Sequence, residues 1–289
     1  LLMISCQHPS SSWFETYVYA GGEYRIDHRE IPALKDPVHM IGDYGQMYAG
    51  GVFQLDSQSQ NITYREGRRI QMQYAVEDEV FLPLDRDGLI LLAFYGHLYD
   101  TVQVLQQTQL ETEDLFPVDM AITPHVFDIS LAFLPMDNAG YLPQTHAFIL
   151  LSDMSEREIP LAANIGIVAH EFGHSLFHYL TTDGVHTKRL YEPSSPAYPG
   201  ISSLDEGFAD MVAALVTLDP RFINASLELP ERDLSGEQTA AELDTRPETY
   251  SSSGLGLDYN PYALGSVFAS VVWDIYSETE DQIGTLELI

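Results

Sequence analysis

Residues 166–180 read Gly166-Ile167-Val168-Ala169-His170-Glu171-Phe172-Gly173-His174-Ser175-Leu176-Phe177-His178-Tyr179-Leu180. Apolar side chains surround the ionisable ones, which predicts a buried helix. Four residues at about 100° each return to nearly the same helical azimuth, so His170 and His174 can both aim a ring nitrogen at one ion about 2.0–2.1 Å away. Glu171 then lies beside the ion and not on it. From there its carboxylate can take a proton from a water that the metal activates, the division of labour of H-E-x-x-H in a zinc hydrolase. The alternative is a core helix with two satisfied histidines, but ionisable groups buried this deeply need a partner such as a cation.

A tetrahedral catalytic site takes three protein ligands and keeps one position open. His178 follows His174 on the same stripe, but three ligands on one straight helix lie in a row and do not converge, so His178 reads as a flanking residue. Glu206 is the better third ligand. It lies in Ser203-Leu204-Asp205-Glu206-Gly207-Phe208-Ala209-Asp210-Met211-Val212-Ala213-Ala214-Leu215, whose apolar period predicts a second helix beside the first.

H-E-x-x-H at His170, Glu171 and His174, followed by E-x-x-x-D at Glu206 and Asp210, resembles the glutamate-ligand zincins (gluzincins), most nearly the thermolysin and fungalysin peptidases. The resemblance implies an α+β, zincin-like catalytic domain in two lobes. A β-rich N-terminal lobe would span about 13–154 and a mainly helical C-terminal lobe about 155–289, with the active-site helix between them. It also implies zinc on His170, His174 and Glu206, with Asp210 orienting the first histidine; an outer carboxylate on the distal ring N–H fixes the tautomer and raises ligand basicity. Asp137-Asn138-Ala139-Gly140-Tyr141 resembles the family's substrate-binding edge strand, where Asn138 and the Ala139 backbone would hold an extended peptide by strand addition. An ordinary Asp-Asn turn before a strand is the other reading of that segment. The metzincin pattern fails, because Phe177 and Leu180 occupy the positions of its glycine and third histidine.

The 289 residues are 45% apolar, enough for a substantial core. Net charge is −30, from 43 acidic and 13 basic residues, and Lys35 and Lys188 are the only lysines. Polyanions are repelled by such a surface, which argues against nucleic acid as a partner. The same composition suits work outside the cytoplasm or in salty surroundings, and a merely soluble acidic protein is the other reading. Cys6 is the single cysteine, so no internal disulfide forms. Leu1-Leu2-Met3-Ile4-Ser5-Cys6 resembles the end of a signal segment with a bacterial lipobox, imperfectly matched at Met3 and Ile4; an incidental buried cysteine is the other reading. That reading makes residues 1–12 a signal remnant and linker, predicts membrane attachment through a lipidated Cys6, and leaves 13–289 as the peptidase domain. The chain reads as clipped at both ends. No later stretch approaches the ~20 apolar residues of a transmembrane helix.

Aromatic and β-branched residues predict strands over Trp13 to Tyr24, Gln46 to Leu55, Arg69 to Val76, Phe127 to Leu134 and Ala147 to Leu151, with turns at Gly21-Gly22, Gly50-Gly51 and Arg65-Glu66-Gly67. Leu89 to Gln107 has helical spacing, with Asp87 as its cap and His97 on its apolar face as a core histidine. A capping box at Ser155-x-x-Glu158 predicts that the metal helix begins between 155 and 161 and ends near Leu180. Thr181 to Ile201 and Pro230 to Gly256 read as loops. The second is acidic, but without EF-hand spacing calcium remains only an implication of the family. Tyr262 to Tyr276 reads as an apolar helix.

Hydrolysis also needs a donor for the developing oxyanion besides the metal, and the thermolysin branch uses a downstream histidine for it. No histidine follows His186 here. A tyrosine such as Tyr191 or Tyr250, or a group beyond Ile289, would have to serve. The expected function is a zinc endopeptidase acting on protein or peptide, with Glu171 as general base and acid. The alternatives are a zinc exopeptidase or other zinc hydrolase, and a catalytically silent zinc-containing surface binding protein.

Overall fold

The computed structural model describes residues 13–56, 61–65, 67–110, 112–122, 125–128, 132–133, 139–143, 145–150, 157–182, 198–236 and 261–289. In chain order the strands begin with β1 (Trp13–Ala20), β2 (Glu23–Glu30), β3 (Leu34–Asp36), β4 (Ile41–Gly42) and β5 (Gly45–Ala49). They continue with β6 (Val52–Asp56), β7 (Asn61–Arg65), β8 (Arg68–Arg69), β9 (Tyr74–Glu77) and β10 (Val80–Pro83). Helix α1 (Arg86–Leu105) precedes β11 (Val118–Ile122), β12 (His125–Asp128), β13 (Ala132–Phe133), β14 (Ala139–Leu142) and β15 (Ala147–Leu150). After β15 the described residues carry the helices α2 (Ile165–Thr182), α3 (Tyr198–Thr217), α4 (Pro261–Thr279) and the short α5 (Gln282–Leu286). The fold is α+β.

Among the described residues three sheets form, in the orders β2-β1-β10-β9, β14-β15-β11-β5-β4-β3 with β8 also on β5, and β13-β12-β6-β7. The first begins with a hairpin whose two-residue turn is Gly21-Gly22, with φ of +63° and +85°. Both turn positions of a type I′ hairpin need positive φ, which is why the glycine pair was legible as a turn. β15 is buried along its whole length. Phe148 and Leu150 enter the main core, while Ala147 and Ile149 join Phe53 and Ala121 in a smaller cluster on the other face. Burial on both faces accounts for the unbroken apolar run in that strand.

One continuous cluster of buried apolar side chains runs from Phe14 in β1 through α1, α2 and α3 to Leu286 in α5. Helix α1 is the one helix among the described residues long and apolar enough to cross a membrane, contrary to the expectation that no stretch would be. It lies mostly inside this core, with Leu92, Ala93, Tyr95, His97 and Leu98 fully buried. His97 is a core histidine, as its position on the apolar face implies.

Several boundaries differ from the sequence reading. Gln46 to Leu55 splits at Gly50-Gly51 into β5 and β6, which belong to different sheets. Arg69 to Val76 likewise divides between β8 and β9, and Phe127 to Leu134 contains parts of two antiparallel strands, β12 and β13. Asp85, not Asp87, caps α1, its carboxylate accepting from the Gly88 N–H at 2.8 Å. The metal helix starts later than 155–161, at Ile165, because Asn164 takes the capping role: its Oδ1 accepts from the Gly166 N–H at 2.8 Å. Pro199 and Gly200, read as loop, lie in the first turn of α3, where proline is tolerated because its missing N–H has no partner to lose. Cys6, Asn138, His186, Tyr191, Tyr250, residues 183–197 and residues 237–256 of the acidic loop lie outside the described residues.

Candidate metal centre

Helices α2 and α3 meet at two small residues. A Cβ on Gly173 would come within 2.7 Å of the Ala209 Cα, so only glycine lets the backbones approach this closely between the two histidines. The contact sets Glu206, one turn before Asp210, opposite both rings. Nε2 of His170 and Nε2 of His174 are 3.0 Å apart, and Glu206 Oε2 lies 3.4 Å from the first and 3.6 Å from the second. Ligand atoms at tetrahedral corners about 2.0–2.1 Å from one ion are separated by about 3.3–3.4 Å. The three side chains therefore form a group that could hold a metal ion.

Their protonation pattern supports the same conclusion. His170 Nδ1 faces Asp210 Oδ1 at 2.9 Å, and His174 Nδ1 faces Asp205 Oδ1 at 2.7 Å. A carboxylate only accepts, so each Nδ1 carries its proton and the lone pair of the neutral ring sits on Nε2. Two lone pairs and a carboxylate oxygen thus converge. Glu206 Oε2 is buried and has no conventional hydrogen-bond partner, an arrangement that costs free energy unless positive charge is supplied at the common point.

Protons or a metal ion can meet that demand. Burial opposes charge on His174, but the carboxylates of Asp205 and Glu206 outweigh it and push its pKa up to about 10. For His170 burial and the neighbouring charges of Arg232 and His174 also oppose, yet Asp210 and Glu206 leave its pKa above the ordinary histidine value. Burial would raise the pKa of Glu206. The His174 and His170 imidazoles reverse this and pull it down to about 2.

Arg232 is one residue that sequence reasoning missed. Its guanidinium is buried and bonds Asp210 Oδ1, the same oxygen that accepts from His170. Arg232 Nη2 also stands 3.1 Å from His170 Nδ1, but both are N–H donors, so the shared Asp210 oxygen is what holds them together. The guanidinium carbon lies 5.7 Å from the Phe222 ring centroid and 4.7 Å from that of Tyr262. Phe222 in turn stacks on the His170 ring, 6.3 Å between centroids with 14° between planes. Asp205 was also missed as a histidine partner, although it adjoins the third ligand.

The three ligands open into a cavity of about 480 Å³, lined by Glu171, His178, Asp205, Arg232, Tyr262 and the strand residues Ala139, Gly140 and Tyr141 among others. Glu171 is beside the ligand group and not part of it, as the motif requires. His178 lines the cavity but stays outside the ligand group. β14, which starts at Ala139, is the outermost strand of its sheet among the described residues and borders the cavity; it pairs with β15 as Ala139↔Leu150. The sequence matches no protein-family model and no curated protein.

Proposed function

We propose that the protein is a zinc-dependent endopeptidase of the gluzincin type, with a two-lobed zincin architecture. The observation that carries this reading is the convergence of His170 Nε2, His174 Nε2 and Glu206 Oε2 beside Glu171. Two imidazoles and one carboxylate at tetrahedral spacing suit zinc, and the Asp210 and Asp205 carboxylates behind the rings fix the tautomers that ligation needs. When bound, zinc would supply Lewis acidity that activates a water and polarises the scissile carbonyl.

The remaining chemistry belongs to the chain. Glu171 accepts the proton of the attacking water and passes it to the leaving amine, so one carboxylate acts as base and then as acid. The edge of β14 away from β15, which pairs with no other described strand, would offer backbone N–H and C=O groups to an extended peptide, with Ala139 at its start. No Cβ neighbour crowds Gly140, so a substrate backbone can lie against that strand. The acidic composition and the Cys6 segment fit a protein secreted or anchored outside the cytoplasm.

Metal analysis together with casein digestion, with and without a chelator, tests the reading. One zinc per chain and chelator-sensitive cleavage are expected. Glu171→Gln should keep the zinc and lower kcat by at least about a thousandfold, since it removes the proton acceptor while sparing every ligand. Wild-type turnover in that variant would rule out the mechanism.

A further inference from the structure

Strand addition delivers a peptide carbonyl to the ligand group only if β14 stands at a fixed height over α2, since a misplacement of about 1 Å can cost about a hundredfold in rate. Among the described residues β14 is backed by β15 alone. One ladder does not fix its tilt, so a second restraint has to come from side chains.

The turn between β14 and β15 ends at His146, whose φ of +49° lies in the left-handed region, uncommon for a residue other than glycine and kept there by its surroundings. Two hydrogen bonds hold the ring. Its Nε2 lies 3.0 Å from the Leu115 carbonyl oxygen, which only accepts, so Nε2 carries the proton and Nδ1 of the neutral ring accepts. The Tyr141 hydroxyl donates to Nδ1 at 2.8 Å. Tyr141 belongs to β14 and lines the cavity. Burial pushes its pKa up to about 12, so it keeps the proton it donates; a hydrogen bond from Ser175 works against that shift and Asp205 adds to it.

Both ends of this chain of contacts land on α2. At one end Ser175, which bonds the Tyr141 hydroxyl, directly follows the ligand His174. At the other, Phe116, next to Leu115, stacks on Phe172, with ring centroids 5.9 Å apart and 15° between planes. Packing alone does not require the hydroxyl: the Tyr141 ring already rests on Phe148, 5.4 Å between centroids.

We infer that Tyr141 and His146 are positioning residues for the substrate: their hydrogen bond fixes β14 against α2, so that a peptide added to the strand presents its carbonyl to the ligand group. Both act through the strand. The role rests on the zinc peptidase reading.

The test uses the zinc-loaded full chain and two inhibitors with the same zinc-binding head: acetohydroxamate, too short to reach β14, and a tetrapeptide hydroxamate that extends along it. Tyr141→Phe keeps the ring contacts and removes the hydroxyl. It should weaken the tetrapeptide hydroxamate about tenfold and lower kcat/KM for a peptide substrate by a similar factor, with acetohydroxamate affinity and zinc stoichiometry unchanged. Adding Tyr141→Phe to His146→Ala should cost nothing further, because both remove one bond. His146→Gln, whose amide can donate to Leu115 and accept from Tyr141, should restore most of the loss. Wild-type affinity for the tetrapeptide hydroxamate in Tyr141→Phe, or equal weakening of both hydroxamates, would overturn the inference and leave the zinc peptidase reading standing. A wild-type chain that binds acetohydroxamate but neither cleaves peptides nor gains affinity from the peptide extension would overturn that reading, and the positioning role with it.

Discussion

Among the described residues, two of the buried histidines, His97 and His170, each face an aspartate that an arginine holds, and they behave in opposite ways. In α1, His97 lies 3.8 Å from Asp100, which Arg29 holds with two hydrogen bonds of 2.7 and 2.5 Å. In α2, His170 bonds Asp210, which Arg232 holds. Burial, the largest influence on His97, keeps its pKa below the ordinary histidine value, whereas His170 is shifted up. A histidine, an aspartate and an arginine do not by themselves make a ligand. The difference is what stands at the other end of the ring: Nε2 of His97 has no hydrogen-bond partner, while Nε2 of His170 meets His174 and Glu206.

The comparison is tested most severely at the two aspartates. Asp210→Asn leaves the Arg232 charge buried and uncompensated, a loss of about 3–5 kcal/mol of stability, and should weaken metal affinity about 10–100-fold because His170 loses its carboxylate. Asp100→Asn should cost only about 1 kcal/mol and leave metal affinity unchanged, because Asp100 is about one-third exposed and water screens the pair. Denaturant titration and a competitive chelator assay read both quantities. Equal metal loss in the two variants would break the comparison.

A smaller but more diagnostic effect is expected with pH. A histidine whose pKa rises on folding stabilises the fold fully below its unfolded value near ~6.5 and loses that contribution as pH rises through the folded value. The metal-free protein should therefore lose stability between about pH 6.5 and the value of about 10 held by His174, while its metal affinity climbs over the same range as the proton is displaced. His97 has the reverse sign: its lowered pKa means that stability falls as pH drops below about 6.5. Melting temperatures of the metal-loaded and chelated protein across this range should separate the two slopes. A metal-loaded protein that destabilises on the alkaline side as steeply as the chelated one would contradict the assignment.

The smallest effect should come from His97→Leu. An apolar side chain of similar volume removes two ring nitrogens that make no hydrogen bond, so stability should change by less than about 1.5 kcal/mol and zinc stoichiometry not at all. Thermal melts and metal analysis read this directly, and loss of metal would show that the α1 histidine is coupled to the ligand group.

This contrast also explains what could be read in the chain. His170 and His174 were legible because helical periodicity puts them in line, Glu206 because its apolar-periodic segment predicted a second helix, and Glu171 and Asp210 through the motifs they share with the gluzincins. Asp205 carried a weak signal through its place beside Glu206. Arg232 carried none: it enters from a polar segment read as a loop, and its partner Asp210 lies on another element. The same limit applied to the fold. Gly21-Gly22 announced a hairpin through local backbone demand, but nothing local in Gly50-Gly51 says that the strands on either side join different sheets. The start of α2 was misplaced because Asn164 is fixed by Tyr24, far away in sequence, and a capping box is a purely local signal.

That last contact reaches beyond the helix boundary. The Tyr24 hydroxyl donates to Asn164 Oδ1 at 2.7 Å and accepts from the Ile165 N–H at 3.1 Å, so the opening hairpin is fastened to the first turn of α2, just before His170. An ion held at His170 would by this contact be linked to residues 13–30, and by reciprocity a loosened hairpin would weaken the grip on the ion.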